Sequence, residues 1–132
     1  MKKHLGVDYG TKRVGIAISD TEGRIAFPRT TLANDEKLLG QVDDLIRKEH
    51  IQVVVVGDTR SHGGGENSVT PEAEAFVVAL ERETKLPVER VWEAWSSIEA
   101  SRYAPEGKTH DDASAAAVIL QRYLDIHPST VE

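Results

Sequence analysis

Residues His4 to Asp20 read HLGVDYGTKRVGIAISD, and this pattern constrains the fold more than any other stretch of the chain. Leu5 and Val7 lead into Asp8; Tyr9, Gly10 and Thr11 follow; Val14, Ile16 and Ile18 then alternate with Gly15, Ala17 and Ser19. Period-two alternation on both sides of a glycine-containing turn predicts a β-hairpin with strands over 4–9 and 13–20. Asp8 then occupies a strand position where an apolar side chain is the norm. A carboxylate is costly to bury there unless a cation or hydrogen-bond donors meet it. The location of the remaining acids therefore becomes the question.

Glu22-Gly23 is a turn, and Arg24–Thr31 continues as a third strand, with Pro28 marking it as an edge. Asn34 and Asp35 are good helix starters, and Leu38, Leu39, Val42, Leu45 and Ile46 recur at helical spacing, which predicts a helix over 35–49. Ile51–Val56 is a continuous β-branched run, the mark of a strand covered on both faces in a parallel sheet. Gly57–Val69 is a polar, glycine-rich loop. Thr70-Pro71-Glu72 opens a helix whose face is Ala73, Phe76, Val77 and Leu80. Pro87–Val91 is a short strand leading into Trp92-Glu93. Ser96 with Glu99, and Thr109 with Asp112, have capping-box spacing; they bracket a helix and the loop Tyr103–His110. Ala113–Leu124 is a last helix of small residues, and 127–132 is a frayed tail.

The expected order is β-β-β-α-β-α-β-α-α in one α/β domain spanning 1–126. Three antiparallel strands followed by two parallel crossover units make a mixed five-stranded sheet flanked by helices. This layout is similar to that of a ribonuclease H-like domain.

Sites in such sheets form at strand C-terminal ends. Asp8 after the first strand, Glu93 after the fifth and Asp112 at the start of the last helix fit that rim, with Asp111 the solvated neighbour of Asp112. Carboxylate oxygens suit Mg²⁺ or Mn²⁺, and paired ions of this kind cleave phosphodiesters. Each acid also has a plain structural reading: Asp8 as a turn cap, Glu93 as a solvated strand end, Asp112 as a helix-terminus acid. Lys12, Arg13 and Arg102 are candidate phosphate contacts, and equally candidate solvated surface. Trp92 and Trp95 can stack on a base or pack in the core. His62 and His110 read as solvated loop histidines. The Gly63–Gly65 segment lacks the Lys-Ser/Thr ending of a phosphate-binding loop.

With 16 basic against 22 acidic residues the net charge is −6, which argues against a polycation that coats nucleic acid but not against a metal-dependent nuclease. The chain contains no cysteine, so disulfides and thiolate metal sites are excluded. No apolar run reaches the length of a membrane span, and the N-terminal lysines give way to Asp8 too soon for a signal-peptide core. A cytoplasmic location is the expectation. Oligomeric state is open between a monomer and a weak homodimer.

Three segments, LGVDYGTKRVGIAISD, VVVVGDTR and DDASAAAVILQRYL, together resemble the YqgF family of ribonuclease H-like proteins, also called RuvX. The resemblance runs in the same order along nearly the whole chain. It implies a metal-dependent nuclease, a hydrolase of phosphodiester bonds, acting in maturation of the 5′ end of 16S ribosomal RNA. Structured RNA is then the partner; branched DNA is the alternative, from the likeness of the family to Holliday junction resolvases. Asp8 and Asp112 match the family's acidic positions. Trp92-Glu93-Ala94 stands where the family usually has Asp-Glu-Arg, keeping only the Glu, and Gly57-Asp58-Thr59 replaces a Gly-x-Pro. A module that binds RNA or a ribosome-assembly partner without cleaving is the reading those departures leave open. The Asp-Tyr-Gly-Thr motif also resembles the phosphate loop of actin-like sugar kinases, for which this chain is short.

Overall fold

A computed structural model describes residues 2–10, 12–58, 70–92 and 112–126. The strands are β1 (His4–Tyr9), β2 (Arg13–Ser19), β3 (Ala26–Ala33), β4 (Val53–Asp58) and β5 (Val88–Trp92); the helices are α1 (Leu38–Glu49), α2 (Thr70–Thr84) and α3 (Asp112–Ile126). The sheet order is β3-β2-β1-β4-β5. β1, β2 and β3 pair antiparallel, while β4 runs parallel to both β1 and β5. The mixed sheet expected from the sequence is therefore present, with β3 at an edge.

Alternation along the strands builds two cores. Leu5, Val7, Tyr9, Val14, Ile16, Val54 and Val56 face α1 and α2, meeting Leu38, Val42, Ile46, Phe76, Val77 and Leu80. Ala17, Val53 and Val55 face the other way and meet Ala116, Ile119, Leu120 and Leu124 of α3. The four valines of β4 are at most 4% exposed, which explains why this run is β-branched without alternation.

Several boundaries differ from the sequence reading, each for a local reason. The first helix starts at Leu38, not at 35: the Asp35 carboxylate accepts the Lys37 amide at 2.9 Å and its carbonyl accepts the Leu38 amide at 3.0 Å, so a turn precedes the helix. Ile51 is buried outside any strand, because its amide closes α1 by donating to the Ile46 carbonyl at 2.9 Å. β4 consequently starts at Val53 and runs on through Gly57 and Asp58, which the sequence reading placed in the loop. β2 ends at Ser19, and β5 spans Val88–Trp92 in place of 87–91. The third strand spans Ala26–Ala33, two residues later than expected. Within it Thr30 pairs with Ile16 and Pro28 with Ala17, leaving Arg29 as an inserted residue. Such a bulge, together with a proline, blunts an edge strand against further pairing. The last helix begins at Asp112 and ends at Ile126. The helix expected after Ser96, the loop Tyr103–His110, most of the glycine-rich loop and the tail lie outside the described residues.

Candidate active site

Asp8 is the fifth residue of β1 and is half-buried. Alternation puts it on the α3 face, in phase with Gly6, where an added Cβ would come within 2.8 Å of the Leu120 Cβ and 3.0 Å of the Ala116 carbonyl. Directly across the β1–β2 ladder from Asp8 is Gly15. An added Cβ at Gly15 would fall 1.8 Å from the carbonyl oxygen of Asp112, an overlap no side chain survives. Facing Cβ positions in such a pair are about 5 Å apart. Gly15 thus lets the first residue of α3 settle beside the Asp8 carboxylate. The stripe Asp112, Ala116, Leu120 lies one turn apart on one side of α3, and Gly6 and Gly15 are the seats on which it rests.

On the other flank, Gly57 follows the Val7–Val56 pair of β1 and β4, is buried, and shares the α3 face with Val53 and Val55. Asp8 therefore has a residue without a side chain on each neighbouring strand. The C-terminal ends of β1, β4 and β5 lie together, with Asp58 in register with Trp92. The sequence reading did not single out Asp58, having placed it in the loop; its position at the sheet end between Asp8 and Trp92 is visible only in the strand register.

The Asp112 carboxylate is bridged by Arg13: Nε donates to Oδ2 at 3.0 Å, with the arginine side chain 71% exposed and the aspartate 29%. An exposed pair of this kind contributes about 0–1 kcal/mol. Asp112 also lies in the first turn of α3, where the helix dipole favours negative charge. The hairpin that carries Arg13 is braced from the end of β3. Asn34 donates its amide to the Lys12 carbonyl at 2.9 Å and its Nδ2 to the Gly10 carbonyl at 2.7 Å. Lys12 is exposed at the tip.

Of the sequence-predicted residues, Asp8, Asp112 and Arg13 are brought together, and Lys12 is close by in the chain. Glu93, Arg102, Asp111, His62, His110 and Trp95 lie outside the described residues. Among the described residues no group of three His, Cys, Asp or Glu side chains is placed to hold a metal. The donors that are present fit a hard divalent cation: two carboxylates, with glycines on both flanks of Asp8 and no cysteine in the chain.

A mixed sheet in order 3-2-1-4-5, with a helix terminus brought over an acid on the central strand, defines a ribonuclease H-like protein. The chain belongs to the RuvX family, described as Holliday junction resolvase, which matches residues 2–126. Relatives provisionally named pre-16S rRNA nuclease include proteins of Nitratidesulfovibrio vulgaris strain DP4, 43% identical and covering 94% of both chains, and of Bordetella petrii, 40% identical over 94% of this chain and 95% of that one. A second N. vulgaris protein, from strain Miyazaki F, is 36% identical over 96% of each chain. Among solved structures, Thermus thermophilus RuvC in complex with a Holliday junction substrate superimposes with a TM-score of 0.66 over 98% of both chains at 11% identity, a likeness of fold. Among the described residues no helix is long and apolar enough to cross a membrane.

Proposed function

We propose that this protein is a divalent-metal-dependent nuclease that trims the 5′ end of precursor 16S ribosomal RNA in the cytoplasm. The observation that supports the reading is the approach of the Asp112 backbone to Gly15, the ladder partner of Asp8, which favours a site drawn from both acids. Full-length likeness to relatives provisionally named for that activity supports the substrate.

Asp8 and Asp112 would hold Mg²⁺ or Mn²⁺. Glu93 is the third candidate. A divalent ion held by Asp8 and Asp112 would supply activation of water and offset of charge on the phosphate. Lys12 and Arg13, both exposed on the hairpin, are the candidates to attract a phosphate backbone. Arg102 is the further candidate for that role. Structured RNA is the partner that follows.

The test is cleavage of a 5′-extended 16S rRNA precursor with Mg²⁺ or Mn²⁺, and with EDTA, beside a four-way DNA junction. Metal-dependent cleavage of the RNA, reduced at least about a hundredfold in Asp8→Asn, is the expected result. Cleavage of the junction alone would assign the chain a DNA substrate. RNA binding in EDTA without cleavage under any condition would make it a binding module.

A further inference from the structure

We propose that Arg13 is a positioning residue that occupies Asp112 Oδ2 in the metal-free protein and gives that oxygen up when a divalent ion binds, an inference that rests on the metal-site reading above. The contact is a single Nε–H donated to Oδ2 at 3.0 Å. Among the described residues this is the one partner of the guanidinium, so its terminal nitrogens stay available for a phosphate.

Neither backbone has to move for the pair to open. Arg13 is fixed in the ladder opposite Ala33. Asn34 pins the turn just ahead of it, through the Lys12 and Gly10 carbonyls. Asp112 is fixed by the seat at Gly15. The arginine side chain, by contrast, is 71% exposed and can swing into solvent. A carboxylate on a seated backbone, bridged by a movable guanidinium, suits exchange of one cation for another.

Charge decides the direction of the effect. A positive group beside a carboxylate weakens its attraction for a second cation. Removing the group while keeping the backbone should therefore tighten metal binding by about three- to tenfold at moderate salt. An arginine that served as a structural brace would do the reverse, because its loss would let the carboxylate drift. The two roles predict opposite signs.

The experiment is Mn²⁺ binding to the full chain without nucleic acid, followed by electron paramagnetic resonance, for wild type, Arg13→Gln, Arg13→Lys, Asp8→Asn and Asp112→Asn. Thermal melting controls for folding. Arg13→Gln is expected to bind Mn²⁺ more tightly than wild type, and Arg13→Lys, which keeps the charge, to stay within about twofold. In parallel, the arginine Nε–H resonance assigned through Arg13→Gln should be protected from exchange in the metal-free wild type. It should lose that protection in Asp112→Asn and on saturation with Mg²⁺. Unchanged or weaker Mn²⁺ binding in Arg13→Gln, or an Nε–H still protected at saturating Mg²⁺, would overturn the role given to Arg13. Unchanged Mn²⁺ binding in both Asp8→Asn and Asp112→Asn would overturn the metal-site reading itself, a distinct outcome.

Discussion

Asp8 and Gly15 face each other across the β1–β2 ladder, and the missing side chain of Gly15 is what admits the Asp112 backbone to the neighbourhood of the Asp8 carboxylate. An acid on a central strand and a glycine on its partner thus act as one device. The acid supplies the donor, and the glycine makes room for the element that brings the second donor.

Gly15→Ala should accordingly be among the most damaging single-carbon additions in the protein. Its Cβ would meet the Asp112 carbonyl at 1.8 Å, with the carbonyl carbon at 2.2 Å, and both are backbone atoms that cannot rotate away. Overpacking of this kind costs about 1–3 kcal/mol or more, which lowers the melting temperature by about 5–15 °C. Gly40→Ala is the control: an added Cβ there has nothing within 4 Å, and the residue is exposed in α1. It should be neutral or stabilising by up to about 1 kcal/mol. Differential scanning calorimetry of the two variants checks both.

His4 should make stability fall on mild acidification. It is only 9% exposed, its Nδ1 bonds the Lys2 carbonyl at 2.9 Å, and its ring lies 5.6 Å from that of Tyr123 on α3. Burial, with the Lys2 charge adding to it, pushes its pKa below the ordinary 6.5 in the folded protein. The stability that neutral His4 confers is complete above the unfolded value of 6.5 and is lost as pH falls through the lower folded value. Asp20, held low by the backbone amides of Arg24 and Ile25, and Glu49, held low by Lys3, lose their contributions only below their own unfolded values of 3.8 and 4.5. Urea midpoints should therefore decline as pH falls below 6.5, ahead of the losses at Asp20 and Glu49, and His4→Gln should flatten that first stretch. An equal decline in the variant would assign the slope to another group.

Gln121 should matter beyond its size. Its Oε1 accepts the Ala26 amide at 2.9 Å, while its Nε2 donates to the Arg24 carbonyl and to Asp125 Oδ1, both at 3.0 Å. This one side chain ties the start of the edge strand β3 to the middle of α3. Gln121→Ala removes the partner of a part-buried amide and should cost about 1–2 kcal/mol. Hydrogen exchange at the Ala26 amide should speed up selectively, while exchange in β4 stays near wild type.

The hairpin, the buried run of β4 and the apolar faces of α1 and α2 were legible in the sequence because period and β-branching report burial directly. Boundaries were less so: a backbone acceptor such as the Ile46 carbonyl, which draws Ile51 out of its strand, leaves no mark in composition. Asp8 stood out as an acid in an apolar strand, and Asp112 as an acid at a helix start. Their meeting was not legible, since it depends on where α3 rests. The signal available was glycine at 6 and 15 beside a helix rich in alanine, a pattern that speaks of close approach only once the strand register is known. Arg13 reads from sequence equally as a phosphate contact or as solvated surface; its bond to Asp112 spans 99 positions and has no local signature. His4 passed as an ordinary strand residue until its neighbours appeared.

The long separation of Arg13 and Asp112 has a temporal meaning. Chains emerge from the ribosome N-terminus first, so β1 and its acid exist well before α3 is made. Until Asp112 is synthesised and α3 docks on Gly6 and Gly15, the acids from the two ends of the chain cannot meet. A nascent chain therefore carries half a site until α3 is made, and the assembled pair dates from the docking of α3 rather than from the folding of β1.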